Sequence, residues 1–337
     1  MKVSELRNKL KNRKIDELQL LIVEMYKAVP KAVREAKGID QLIDDPSAFK
    51  KKKSNASHIS EQLDFPAVEA EVQLFIKNAY DHNYIAPNRI ISKKERSGWR
   101  ITAKRLIDEV AVFSNHPDHY KAGLVLYEEL YKLFCYASSY HVFVSEHPFR
   151  TLKIEQADFL KRIILLKKKF EYPDKWVTES LTLILENEVD FETLPSVILE
   201  VLMEALDNAP LKEKMIDIAE KLLQEKQLEM KHTEQIHDKY LHEEYINNLV
   251  EIIFKTKSLL GENEEAIRFY KQNYINTTAE VKLYILLNWI MDFQRLENWL
   301  EVYEKAIKGK IKPRDILQRT YEYIKSHNEF PANVWDI

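Results

Sequence analysis

Apolar residues recur at helical spacing along most of the chain. In DELQLLIVEMYKAV (residues 16–29), Asp16 is the expected helix cap. The apolar residues that follow share one stripe: Leu18, Leu21, Ile22, Met25 and Val29. No segment shows sustained alternation of apolar and polar residues with the period of two that a half-buried strand requires. The pattern therefore predicts an all-α protein.

Breaks in the pattern divide the chain. The segment 44–57, DDPSAFKKKKSNAS, reads as a loop or linker. A helix is predicted from Pro66, and another over WRITAKRLIDEVAVF with Ser97 at its start. Beyond residue 150 we expect helices with short joints at 154–170, 174–188, 191–207, 211–228, 231–260, 262–275, 278–292, 295–308 and 314–327.

Short joints favour antiparallel helix pairs stacked as an irregular α-solenoid, with a multi-helix bundle as the alternative. We expect three regions. Residues 1–57 hold N-terminal helices and the Lys-rich loop, 58–150 form a helical domain with a basic segment and a buried central helix, and 151–337 form a helical-repeat region.

Two C-terminal segments share features of helical repeats. In LLGENEEAIRFYKQ (259–272), a turn glycine precedes Ala266 and Tyr270, and LENWLEVYEKAIKGKIKP (296–313) has Tyr303, Ala306 and Pro313. These segments resemble the middle of a tetratricopeptide repeat, in which a small alanine lets helices approach and an aromatic ring fills the adjoining gap. The two alanines are 40 residues apart, whereas the tetratricopeptide period is about 34. The resemblance implies a stacked helical-repeat fold and leaves a HEAT-like subtype open.

The N-terminal segment LRNKLKNRKIDELQLLIVEMYK (6–27) is similar to the start of a family of uncharacterised bacterial proteins. This similarity implies no function.

Composition excludes several classes. The 337 residues include only five glycines, all isolated, so neither a dinucleotide-binding GxGxxG nor a phosphate-binding P-loop can be written. The single cysteine excludes an internal disulfide and favours a reducing compartment. The N-terminus lacks the apolar core of a signal peptide, and the apolar run at 133–144 is shorter than the roughly 18 residues of a membrane span. We expect a cytoplasmic protein without a membrane partner.

Residues 116–150 concentrate histidines around the single cysteine. Pro117 suits the first position of a helix, and the following segment, apolar on nearly every side, predicts a buried central helix that carries Cys135. Histidines at its two ends are too far apart to form one site. We therefore interpret Cys135 as a small core side chain rather than a nucleophile.

A second titratable cluster, HTEQIHDKYLHEEY (232–245), contains the ExxH pair Glu234–His237. Successive histidines at spacing five rotate by about 140° on a helix and face different ways, so we predict a solvated polar helix and no metal. The chain has no HExxH or GxSxG motif, and no cofactor is predicted. A metal-dependent or hydrolytic enzyme whose site is assembled only in space remains an alternative.

Charge is unevenly distributed although the net charge is only −3. Residues 1–170 carry a net +9 and residues 171–247 a net −12. The basic segment RIISKKERSGWRITAKR (89–105) has a local charge of +6 around a tryptophan. Cations beside an aromatic ring suit a phosphate backbone or an acidic partner, and the candidate contact residues are Arg89, Lys93, Lys94, Arg96, Trp99, Arg100 and Lys104.

The segment has two main interpretations. Its cations can pair with the acidic middle region, in which case replacing Arg96 and Arg100 with glutamate lowers the melting temperature and loses no partner. Alternatively, they contact a macromolecule. The function we predict is a non-catalytic helical-repeat protein that binds another macromolecule, with a protein partner favoured over nucleic acid.

Overall fold

The structure is a computed structural model, which describes residues 9–11, 13–29, 39, 43, 64–85, 87–145, 147–232, 236–275 and 277–333. Within these ranges the regular structure is helical and no strand occurs, which confirms the all-α fold class. None of the helices in these ranges has both the length and the apolar character needed to cross a bilayer.

The chain divides into two compact units, Met1–Asp64 and Phe65–Ile337. The first unit contains α1 (Ile15–Ala28). The second contains α2 (Phe65–Tyr80), α3 (Lys93–Phe113), α4 (Tyr120–Ser139), α5 (Pro148–Leu152), α6 (Gln156–Phe170), α7 (Pro173–Leu185), α8 (Pro195–Ala205), α9 (Ala209–Lys231), α10 (Ile236–Leu259), α11 (Asn263–Asn273), α12 (Ala279–Phe293), α13 (Leu296–Lys308) and α14 (Asp315–His327).

Helix α1 lies where the apolar stripe predicts a helix, but it begins at Ile15 with Lys14 as N-cap, so the placement of Asp16 as the cap is wrong. Asp16 and Glu17 in its first turn and Lys27 in its last turn complement the helix dipole. No residue of α1 is buried. The predicted linker at 44–57 lies outside the described residues.

In the second unit, the main contacts join helices that are at most two positions apart in chain order. Helix α2 packs on α3 and α4, α6 on α7 and α8, and α10 on α11 and α12. Helix α4 also packs on α6, so the predicted regions 58–150 and 151–337 share one compact unit from Phe65 onward.

Helix α4 lies at the centre of a hydrophobic core. Tyr127, Leu130, Phe134 and Cys135 are fully buried there, which confirms the predicted buried central helix. Its limits differ from the prediction at both ends. Pro117 belongs to a turn before α4, which begins at Tyr120 with His119 as N-cap, so the placement of Pro117 in the first helical turn is wrong.

The apolar sequence predicts that the helix continues to Val144, but it ends at Ser139. Beyond it, the chain turns so that the ring of Phe143 stacks on Trp99 of α3, with ring centroids 4.0 Å apart. Tertiary packing of this aromatic pair replaces the continued helix that the apolar sequence predicts.

Helix α3 begins at Lys93 rather than near Ser97. The Ser92 hydroxyl accepts the amide of Glu95 at 3.3 Å, and the Glu95 carboxylate accepts the amide of Ser92 at 3.0 Å. These reciprocal hydrogen bonds form a capping box and lower the pKa of Glu95. The motif Ser-x-x-Glu is visible in the sequence, and it outweighs the later Ser97–Gly98 as a start signal.

Helix α8 begins at Pro195 and not at residue 191 as the sequence predicts. A buried hydrogen-bond network holds the residues before it. The Gln156 side chain accepts the amide of Asp190 at 2.8 Å and donates to the carbonyl of Glu188 at 2.9 Å. The Asp190 carboxylate accepts the Ser138 hydroxyl at 3.2 Å. These bonds to α6 and α4 hold residues 186–194 as a loop.

Candidate interaction surface on helix α3

Trp99 is a core residue and offers no ring face to a partner. It is 3% exposed, and its ring lies nearly parallel to that of Phe143, with 13° between the planes. Its place among the candidate contact residues is therefore wrong. The apolar stripe of α3 accounts for its burial, because Ala103, Leu106 and Val110 follow it on the same face.

Two arginines of the basic segment are occupied within the fold. The guanidinium of Arg96 donates to the backbone carbonyl of Ile91 at 2.7 Å, which holds the loop before α3. Arg105 pairs with Glu109 at 3.0 Å and with Glu71 of α2. Hydrogen bonding to Glu71 is the main cause of the raised pKa of Arg105. Arg96 therefore serves the scaffold rather than a partner.

The remaining cations form what we call the outer basic face: Arg89, Lys93, Lys94, Arg100 and Lys104, all exposed. None of them makes an ion pair within the part of the chain that the structure describes. At about 100° per residue, Lys93, Arg100 and Lys104 lie within about 40° of one another around α3, and they span roughly 16 Å along it. The helix therefore presents them as one row, away from the stripe that contains Trp99.

Two isoleucines adjoin this row. Ile101 of α3 is 69% exposed and Ile90, in the loop before the helix, is 71% exposed. Neither was among the sequence candidates. The exposure of Ile101 could have been predicted from the sequence, because its position falls on the polar side of a helix whose apolar stripe passes through Trp99 and Ala103. The surface thus combines positive charge with exposed apolar side chains.

The acidic middle region does not neutralise this surface. Its acids pair instead with lysines of α6 and α9: Lys161 with Glu204 at 2.6 Å, Lys168 with Asp207 at 2.7 Å, and Lys214 with Asp174 at 2.6 Å. Across the described ranges, no ion pair joins residues 89–105 to residues 171–247. The interpretation that the basic segment pairs with the acidic middle is wrong for these residues.

Cys135 has the environment of a core side chain. It is fully buried, and burial raises the pKa of its thiol to about 12, although hydrogen bonds from Tyr131 and Gln156 act in the opposite direction. The thiolate, which is the nucleophilic form, is therefore strongly disfavoured at neutral pH. This agrees with the prediction that Cys135 is not a nucleophile.

The histidines near α4 make aromatic contacts. His119 stacks on Phe65 at 4.9 Å, and its ring lies 5.4 Å from that of His116.

The ExxH spacing of Glu234–His237 also occurs at Glu229–His232, at the end of α9. There Glu229 pairs with Lys226 at 2.7 Å. Within the described residues, no three His, Cys, Asp or Glu side chains are grouped as metal ligands. Glu234 lies outside those residues.

Comparison with known proteins adds no assignment, because no protein family, curated protein or solved structure matches this chain. The resemblance of the C-terminal third to helical repeats therefore stays a prediction.

Proposed function

We propose that this chain is a helical-repeat protein that binds an acidic protein partner through the outer basic face and the adjoining isoleucines. The observation that carries the proposal is a row of exposed cations without ion pairs in the described structure, beside Ile90 and Ile101. Interfaces combine such apolar contacts with charges that orient the partner.

The packing of successive helices supports the repeat part of the proposal. Contacts between helices that are neighbours or next-neighbours in the chain are what a stacked solenoid requires. In the C-terminal third, Ala266 and Tyr270 are both buried, and Trp299 stacks on Tyr303 at 5.2 Å. The burial of this alanine and these aromatic rings supports the proposed repeat packing.

Nucleic acid is the less favoured partner for this surface. Single-stranded nucleic acid is held by cations together with aromatic rings on which the bases stack. The aromatic ring of the segment, Trp99, is covered by Phe143. The exposed side chains beside the cations are isoleucines, which suit a protein surface better.

Replacing Arg100 and Lys104 with glutamate is expected to weaken partner binding by about tenfold or more. Two favourable charge contacts become repulsive, and a tenfold change corresponds to about 1.4 kcal/mol. The melting temperature is expected to stay within about 2 °C of the wild type, since neither side chain has an internal ion pair to lose. Affinity purification from native lysate with nuclease, followed by titration of the retained protein, measures the first effect.

The matched control is the pair Lys221→Glu and Lys239→Glu, which makes the same charge change at exposed sites on α9 and α10. It should retain the partner. Ile101→Ser separates the two kinds of partner, because it weakens a protein contact and leaves a phosphate contact unchanged. A bound component that nuclease removes, with a log–log salt slope near −0.9 per phosphate contact, would establish the nucleic-acid alternative. Equal loss in the control pair would contradict the proposed surface.

A further inference from the structure

A groove between α11, α12 and α13 combines an apolar floor with a cationic rim. Its volume is about 310 Å³. Its apolar lining consists of Tyr270, Ala279, Leu283, Leu286, Val302, Ala306 and Ile311. The other lining residues are Lys271, Lys282 and Lys305, and no acidic residue lines it. The groove is therefore positively charged at its rim and apolar at its base.

The three lysines differ in their partners. The ammonium of Lys282 donates to the backbone carbonyl of Tyr274. Lys305 pairs with Glu301 at an exposed site, where an ion pair adds little. Lys271 has no ion pair in the described part of the chain. The rim therefore has more positive charge than its surroundings balance.

Lys271 is held in an unfavourable electrostatic position. Its pKa is lowered, first by burial and secondly by repulsion from Lys305. The attraction of Glu301 acts in the opposite direction and is weaker. A negatively charged group near these two ammonium groups would reduce this repulsion.

We propose that this groove binds a small carboxylate with an apolar tail, in which Lys271 and Lys305 contact the carboxylate and Leu283, Leu286 and Val302 contact the tail. The volume of about 310 Å³ accommodates about ten atoms of the size of water, at roughly 30 Å³ each. A saturated carboxylate of eight carbons is of this size. The site lies on other helices than the outer basic face and is independent of it.

Octanoate is the probe that tests the proposal, with saturable binding to the full-length chain measured by calorimetry. We expect a Kd below about 1 mM. Shortening the tail to hexanoate removes two methylenes and should weaken binding about fifteenfold, because each methylene transferred from water contributes a factor of roughly four. Octylamine, which has the same tail and the opposite charge, should bind at least tenfold more weakly than octanoate.

The variant Lys271→Gln/Lys305→Gln should weaken octanoate binding about tenfold while its melting temperature stays at or above the wild-type value, because the repulsion between the two ammonium groups is gone. Lys221→Gln, the same change at an exposed position of α9, should bind octanoate like the wild type. Equal binding of octanoate and octylamine, or unchanged binding by the double variant, would overturn the site.

The apolar carboxylate could also belong to the end of a polypeptide. A hexapeptide that ends in leucine, compared with its amidated form, distinguishes this source. Binding of the free-acid peptide together with no detectable binding of octanoate would contradict the small-molecule proposal. Tighter binding of octanoate than of the peptide is the expected result.

Discussion

Replacing Lys167 with methionine is expected to lower the free energy of unfolding by about 3–5 kcal/mol. Lys167 of α6 has a side chain that is only 2% exposed, and its ammonium lies 2.6 Å from the Glu128 carboxylate of α4. It also pairs with Glu179 of α7. Methionine fills the space of the lysine stem but leaves two partly buried carboxylates without their shared cation. Urea unfolding at pH 7 measures the difference.

Lys175→Met is the comparison variant, because Lys175 also pairs with Glu179, at 3.6 Å, but has a side chain that is 56% exposed. Its closest partner is Glu171, at 2.5 Å, whose side chain is 11% exposed. Solvent screens the exposed ammonium, so the loss should be smaller than that of Lys167→Met. Adding Glu128→Gln to Lys167→Met should restore part of the stability, since it removes one uncompensated charge. Equal losses for Lys167→Met and Lys175→Met would show that burial of the cluster is unimportant.

The cluster also has a defined pH dependence. Burial by itself lowers the pKa of Lys167, but the hydrogen bonds that its ammonium donates to Glu128 and Glu179 outweigh burial and raise the pKa. A raised pKa means that the contribution of Lys167 is fully present below the usual lysine value and is lost as pH rises through the raised one.

At acid pH the carboxylates decide the outcome. Burial raises the pKa of Glu128, although the attraction of Lys167 opposes this effect. As the pH falls, Glu128 is therefore protonated before an ordinary glutamate. The stability difference between wild type and Lys167→Met should therefore shrink as the pH falls through the raised pKa of Glu128. A difference that stays constant between pH 4 and pH 7 would contradict this assignment.

Gly123→Ala is expected to destabilise the protein by about 1–3 kcal/mol, although alanine is the better helix former. Gly123 lies in α4, where a Cβ atom would come within 2.7 Å of the backbone nitrogen of Ser114 and 2.9 Å of the backbone carbon of Phe113. These are backbone atoms at the end of α3, so the two helices must move apart. Thermal unfolding measures the loss.

Gly98→Ala provides the control, because Gly98 is also a helical glycine and nothing lies within 4 Å of the Cβ position there. Alanine at this site should stabilise the protein by about 0.5–1 kcal/mol through helix propensity. The two substitutions are chemically identical and should have opposite signs. Destabilisation by both would show that the close approach at Gly123 is not the cause.

Part of the proposed interaction surface can be predicted from the sequence alone. The local charge excess at 89–105 is a property of the sequence, and helical spacing alone puts Lys93, Arg100 and Lys104 on one side. Whether Trp99 and Arg96 belong to that surface depends on their contacts. Phe143 covers Trp99, and the carbonyl of Ile91 accepts a hydrogen bond from Arg96. Neither contact can be predicted from local spacing.

The groove and the lysine cluster could not be predicted in the same way. Tyr270 and Ala306 were recognised as repeat-like positions, yet the neighbouring Lys271 and Lys305 come from different helices. Lys167 likewise meets acids from two other helices. Such convergence is invisible in a linear pattern, because it depends on how α11 and α13, or α4, α6 and α7, are placed in space.

The sequence alone determined the helical class and the approximate limits of most described helices, because period-3.6 apolar stripes, capping residues and a shortage of glycine act locally. Only the tertiary structure decided which of two helical glycines lies against another helix, that the ring of Trp99 is covered, and which lysines line one groove. Those outcomes depend on distances between segments that are far apart in the chain, and local propensity contains no information about them.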